Sequence, residues 1–303
     1  MPWSSIGGTE HATLRIIQSV ARDFNNIVFC PEGENAVSEM FRAAGVDTVG
    51  YEIVEPSLRR PGGYLRASSR LAKELKRRKV DLVHCSDFLA CCYSAVAGRM
   101  ARLPVLCHVR NRFAEIPLRD RLVLSAVDKF VFVSQDTWRH FGYQVSANRG
   151  LVLYDGIDVR GEASSAEVRQ EFGIPTATKI IGMVARVAPQ KDYATLIKAA
   201  KLIVKEYPDV CFLIVGDYSK GENHKVHYAE VKRELDAFGM TPYFIFTDFR
   251  EDVPRMIGAM DIFVLSTHLE GLPLVILEAM AQGKAVVATA VDGIPEVVVG
   301  GRT

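Results

Sequence analysis

Twice along the chain, short apolar runs alternate with longer stretches whose apolar residues recur at helical spacing. That rhythm constrains the fold strongly, because parallel strands can be joined only through crossovers long enough to hold a helix. The first series runs through Ile27–Cys30, Ala36–Ala44, Val46–Tyr51, a helix around Tyr64–Arg78 and Val80–Cys85. It continues through Phe88–Ala101, Val105–Val109, a helix near Pro117–Val127, Phe130–Val133 and Leu151–Tyr154. A polar passage with Gly161, Gly173 and Pro175 follows, over residues 160–178. The second series is Lys179–Ala185, Tyr193–Glu206, Val210–Val215, Val226–Phe238, Tyr243–Phe246, Val253–Ala259, Ile262–Leu265, a helix within 267–283, and Ala285–Ala288. A length of 303 residues with 49% hydrophobic content supplies enough apolar surface for two cores. The expectation is an α/β protein of two doubly wound domains, 1–160 and 161–303, facing a cleft. Ligands in such folds lie at the carboxyl ends of the strands.

Charge and cysteine usage narrow the function classes. A net charge of +1 argues against a dedicated nucleic-acid binder. Cys30, Cys85, Cys91, Cys92, Cys107 and Cys211 show no C-x-x-C spacing and sit mostly in apolar runs, so they read as reduced core residues and not as a zinc site or disulfide frame. No 18-residue apolar stretch and no signal-peptide pattern is present, and a cytoplasmic location is expected.

The stretch THLEGLPLVILEAMAQG, from Thr267 to Gly283, carries the most chemistry. Pro273 suits a first helical position and Gly283 the residue past the end, which predicts a helix of roughly ten residues. Apart from Glu278, everything from Gly271 to Ala281 is apolar or Gly, so the helix is expected to be buried on most sides. A buried carboxylate needs donors. Two vicinal ribose hydroxyls would supply them, and so would an Arg or Lys of the fold. Free amides after Glu270 and the positive end of the helix dipole suit a phosphate, although Glu270 also reads as an ordinary helix-start acid. Arg186 and Lys191, on the loop after the strand Ile180–Ala185, are suited to neutralising a diphosphate or are simply solvated. Near the start, Gly7 and Gly8 open an amphipathic run, His11 to Arg22, either as an anion-approaching loop or as a plain turn.

Taken together, GMVARVAPQKD and HLEGLPLVILEAMAQGKAVVAT closely resemble the retaining GT-B glycosyltransferases of family 4. GGTEHATL, DLVHCSD, VSQDT, YDGID, DFREDVPRMIGAMDIFVLST and DGIPEVV match as well, so the resemblance spans nearly the whole chain. It implies that Arg186 and Lys191 hold the donor phosphates and that Glu278 binds the ribose. Glu270, with Gly271, Leu272, Leu274 and Val275, would lie against the donor sugar and its phosphate. Gly7 and Gly8 match the family's glycine loop, and His108 its histidine near the reacting carbon. The implied reaction is transfer of a sugar from a nucleotide-diphosphate donor to an acceptor hydroxyl with anomeric retention, in polysaccharide or glycolipid synthesis. No cofactor and no metal is expected, and no Asp-x-Asp occurs.

Three positions depart from the family: Asp192 where Gly is usual, Tyr154 where Asn is frequent, and Asp248 in place of a Gly near the base. Asp192 would oppose phosphate if it faced inward, or cap the following helix. Relative to the family the chain is also expected to lack a first strand and C-terminal helices, as a fragment would. Competing readings are a catalytically impaired nucleotide-sugar-binding remnant and a GT-B epimerase or phosphorylase; a nicotinamide dehydrogenase lacks support because no G-x-G-x-x-G follows a strand. Expected partners are a nucleotide sugar and a sugar or lipid-linked acceptor. Residues 59–79 carry a local charge of +8, with Arg66, Arg70, Lys73 and Arg77 at helical spacing opposite Leu71 and Leu75. Such a face suits peripheral contact with an anionic membrane, an acidic acceptor, or plain solvent.

Overall fold

All strand pairings among the described residues of the computed structural model, 1–4, 6–158 and 165–302, are parallel. The chain divides into two units, Met1–Gly156 and Ile157–Thr303. The boundary expected at 160/161 lies outside the described residues.

In the first unit, β1 (Ile27–Pro31) pairs with β2 (Asp47–Tyr51). A separate ladder runs in the order β3 (Val83–Cys85), β4 (Val105–Val109), β5 (Lys129–Phe132) and β6 (Gly150–Val152). The helix Phe88–Ala101 packs on the second ladder with Cys91 and Ala95 fully buried, and Asp87 caps it by accepting from the Ala90 amide at 2.6 Å. Phe130 and Phe132 are also fully buried, each stabilising the core by about 1.5–3 kcal/mol. The expected strand Val80–Cys85 is shortened to Val83–Cys85. Lys79, in the left-handed region at φ 53°, ends the preceding helix Pro61–Arg77, and the chain must recover from that turn before it can pair.

The second unit is one five-stranded sheet, β11 (Ala285–Ala288), β10 (Ile262–Leu265), β7 (Lys179–Val184), β8 (Val210–Val215) and β9 (Phe244–Phe246) in spatial order. Every residue of β8 is buried, as a central strand covered on both faces requires. All six cysteines of the chain are buried and free.

Two expectations need correction here. The passage between the series contains a helix, Ser165–Phe172, while Gly161 and the other residues of 159–164 lie outside the described set. Val168 alone is fully buried on this helix, and Glu171 anchors it to Arg250 (2.8 Å) and to Arg255, so ion pairs do what apolar spacing usually signals. The helix Leu274–Ala281 is shorter than predicted, with Pro273 as its N-cap, and only Ile276 and Ala279 are buried along it. It packs on β11, an edge strand, and on β10 and the helix Val253–Ala259, so one stripe is covered and the rest is half-open.

Candidate functional site

In the second unit, two loops leave the carboxyl ends of adjacent strands. β7 and β10 are in register at Ile181↔Ile262 and Gly182↔Phe263, so the loop carrying Arg186 and Lys191 runs beside the loop carrying Glu270. Backbone bonds fasten them: the Asp192 amide donates to Ser266 O at 3.2 Å and the His268 amide to Gln190 O at 2.9 Å. Gln190 Nε2 donates to Leu269 O at 2.6 Å. Across this seam Lys191 Nζ forms an ion pair with Glu270 Oε1, both side chains being largely buried. Thr267 Oγ1 donates to the same Glu270 oxygen at 3.2 Å, and Asp292 Oδ2 accepts from the Glu270 amide at 2.6 Å.

Arg186 stands apart from this network. Its side chain is exposed and has no hydrogen bond or ion pair among the described residues. Its backbone is held closely, because Gly216 at φ +153° lets β8's end approach: a Cβ there would sit 2.2 Å from Ala185 O. The loop therefore carries one uncommitted cation and, five positions on, one that is pre-positioned by a carboxylate.

Gly271 and Leu272 are buried and lead into the helix Leu274–Ala281, which starts with no side-chain cap and no acid in its first turn. Its first amides, including those of Leu274 and Val275, therefore keep the uncompensated positive end of the dipole. Glu278 lies one turn further along, about 6 Å down the axis. It is half-buried and already takes part in an interaction, so the picture of a fully buried carboxylate awaiting donors does not hold. The reason is the half-open packing of its helix.

The departures resolve structurally. Asp192 is the N-cap of Tyr193–Glu206, accepting from the Thr195 amide at 3.0 Å and from Thr195 Oγ1 at 2.6 Å. Burial pushes its carboxyl up, but these bonds outweigh that and hold it below the usual range. Asp248 adopts the left-handed conformation at φ 62°, which accounts for the glycine usual there, and its Oδ1 ties down the Tyr218 amide at 3.1 Å. Tyr154 is exposed.

In the first unit, Gly7 is the N-cap of the helix Gly8–Val20, and its amide donates to Glu10 Oε2 at 2.9 Å. Burial raises the Glu10 carboxyl pKa against that bond. Gly8 faces open space. His108, on β4, is 2% exposed, and burial together with Arg110 and His84 pushes its pKa down to about 2. Sequence reading placed His108 but missed its setting. Arg110 forms a buried ion pair with Asp155 at 2.6 Å, donates from Nε to Ser86 O at 2.9 Å, and faces His108 Nδ1 from Nη2 at 3.4 Å. His108 Nε2, Ser86 Oγ and Glu10 Oε1 are buried without hydrogen-bond partners among the described residues. The signal available in the sequence was a charged residue closing an apolar strand, VLCHVR, where burial demands a partner.

Comparison with known proteins follows the same division. Residues 6–160 match the model of Glycosyltransferase Family 4, and residues 178–303 match that of Glycosyl transferases group 1. An Escherichia coli UDP-Gal:alpha-D-GlcNAc-diphosphoundecaprenol alpha-1,3-galactosyltransferase is 27% identical over 245 residues, covering 74% of this chain and 61% of the relative. Spore coat protein SA of Bacillus subtilis is 30% identical over 262 residues, covering 78% and 67%. The crystal structure of Anabaena HepE in complex with UDP and glucose superposes with a TM-score of 0.82 at 21% identity, covering 98% of this chain and 81% of that one. A glycosyltransferase from Rickettsia africae gives 0.82 at 19% identity. The fold is thus that of two Rossmann-like domains as in GT-B enzymes, and the chain spans 61% of the length of the galactosyltransferase it matches.

Proposed function

Because the chain belongs to glycosyltransferase family 4, we propose that it transfers a hexose from a nucleotide-diphosphate donor to an acceptor hydroxyl with retention at the anomeric carbon. The observation that carries this reading is the seam in the second unit: Lys191 paired with Glu270 at the approach to an uncapped helix, with Arg186 uncommitted five positions before Lys191.

As the bond to the sugar breaks, negative charge grows on the departing diphosphate. Lys191 Nζ has three N–H donors, so it can keep Glu270 and still give one to a phosphate oxygen. Arg186 gives a second, bidentate contact, and the amides at Gly271, Leu272, Leu274 and Val275 complete the cradle. Lys191 and the amides are held in place before the reaction, so little reorganisation on their part opposes the charge shift, whereas Arg186 swings in from solvent. Glu278 is assigned to the ribose hydroxyls and Glu270 to the donor sugar. Gly7, Gly8 and His108, all in the first unit, are assigned to sugar binding. No step in this scheme draws on a metal or cofactor, so EDTA should leave the rate unchanged.

The acceptor is assigned to the sugar or lipid-linked class, in keeping with the galactosyltransferase relative's name. Among the described residues no helix is long and apolar enough to cross a membrane. Approach to an anionic surface would use the helix Pro61–Arg77, whose Leu71 and Leu75 are buried while Arg66 and Lys73 are exposed. Part of that charge is spent, since Arg70 pairs with Glu52 at 2.8 Å and Arg77 with Glu74 at 2.5 Å. Sedimentation with anionic and with neutral vesicles tests the surface, and equal partitioning would remove it. Sugar transfer from UDP-, GDP- and ADP-linked donors, with the product's anomeric configuration read by NMR, tests the reaction. An inverted product would contradict the retaining assignment, and nucleotide binding without turnover would favour a binding remnant.

A further inference from the structure

Arg110, Asp155 and Ser86, grouped around His108 on β4, have no role in the sugar-transfer reading, which assigns only His108. Arg110 makes three contacts with its side chain: Asp155 Oδ2 at 2.6 Å, Ser86 O at 2.9 Å and His108 Nδ1 at 3.4 Å. Both members of the ion pair are under a tenth exposed, 6% and 7%, so neither can relax into water. A guanidinium has donors and no acceptor. The His108 nitrogen facing it must therefore accept, which leaves the ring proton on the other nitrogen. That nitrogen, Nε2, is buried and has no partner among the described residues. An N–H in that position is unfavourable unless a ligand oxygen completes it.

We propose that Arg110, clamped by Asp155 and the Ser86 carbonyl, is a positioning residue that locks His108 as the neutral Nε2–H tautomer, making it an obligate hydrogen-bond donor to a sugar hydroxyl. The lock has two parts. Geometrically, Nδ1 is engaged, so the ring cannot flip or exchange tautomers without losing the bond. Electrostatically, a second proton would place an imidazolium beside a guanidinium that is itself held in place. The titratable or charged groups bearing on the ring are Arg110 and His84, whose ring stacks on it with centroids 5.6 Å apart, and both oppose a positive charge on His108. Ser86 follows Cys85, which pairs with Cys107, so continuing the register places Ser86 level with His108, and its hydroxyl is buried without a partner among the described residues. A sugar hydroxyl can thus accept from His108 and exchange a bond with Ser86, a polar pair suited to a neutral, hydroxyl-bearing ligand and not to an anion alone. The identity of that ligand as the donor sugar rests on the function proposed above. The tautomer does not.

The test is a long-range proton–nitrogen correlation spectrum of the full chain labelled at its seven histidines, with His108 identified by its absence in His108→Gln. In the wild type His108 should show Nε2–H and no titration between pH 5 and 8. In Arg110→Met the ring should begin to titrate in that range or mix tautomers. Should that variant fail to fold, the wild-type spectrum still decides, and Arg110→Lys, which keeps the charge without the fork, should show partial loss of the lock. An Nδ1–H tautomer, or a wild-type ring that protonates in this range, overturns the proposal. Calorimetry with UDP-glucose and UDP separates the ligand half: Arg110→Lys should weaken the sugar nucleotide by about tenfold, as loss of one hydrogen bond would, and leave UDP unchanged. Equal weakening of both would remove the sugar contact. Failure of the wild type to bind either would count against these donors while leaving the tautomer to stand or fall on the spectrum.

Discussion

The two units treat their polar residues in opposite ways. In the first, Arg110, Asp155 and His108 are buried on and beside strands and satisfy one another, with a few orphaned atoms left over. In the second, Arg186 stands in solvent, and the Lys191–Glu270 pair lies on loops that are tied at their backbones. Buried charge of the first kind orients a neutral partner, because it cannot move and its field is already spent. Loop-borne cations of the second kind, one exposed and one half-buried, suit a multiply charged ligand whose own desolvation they can offset. The difference extends to the sheets: one continuous five-stranded ladder in the second unit, and separate ladders of two and four strands in the first.

If that contrast is right, mutations should separate by observable. The largest stability loss is expected from Asp155→Leu, which strands Arg110 without its partner; about 3–5 kcal/mol, read from the urea midpoint, is the range for breaking a buried pair. Arg186→Ala should do the reverse, leaving the midpoint within error while lowering turnover by about a hundredfold, the scale for one lost transition-state donor. Wild-type transfer by this variant would break the contrast from the other side. Lys191→Ala should cost a similar factor in rate and also loosen the loop, since Glu270 would lose its counter-charge.

Smaller effects sharpen the picture. Asp192→Ala removes an N-cap and should lower stability by about 1 kcal/mol with little change in nucleotide affinity; a marked gain in affinity would mean that the carboxylate faces the phosphate after all. The acids anchoring Ser165–Phe172 offer a pH signature. Arg250 and Arg255 hold Asp252 below its ordinary range, and the same arginines do so for Glu171, Arg255 more strongly. Carboxylates depressed in the folded state add stability above their unfolded values, near 3.8 and 4.5, and lose it as pH falls through their lower folded values. Acid should therefore detach this helix, and Arg255→Met should flatten the dependence, as followed by hydrogen exchange at Val168.

Much of this fold was readable in the sequence because parallel strands buried on both faces leave nearly unbroken apolar runs, as VCFLIV on β8 does. The helix Ser165–Phe172 was not, since a single fully buried valine gives no periodicity and its ion pairs reach residues more than 75 positions away. The same distance hid the site's main contact. Lys191 and Glu270 were each singled out, but nothing in a linear pattern says that a cation and an acid 79 residues apart will meet. Arg110, just past the strand Val105–Val109, and Asp155, within YDGID, give no sign of each other, because a buried pair has no local signature other than a charge where a strand should be greasy.

Calorimetric titration of the best-binding member of a UDP, GDP and ADP panel into the wild type, Arg186→Ala and Lys191→Ala tests the diphosphate cradle most directly. The prediction is saturable binding by the wild type, weakened about tenfold or more in each variant as a charge-assisted bond is lost, with unliganded Arg186→Ala melting like the wild type. Equal affinity across all three proteins would contradict it.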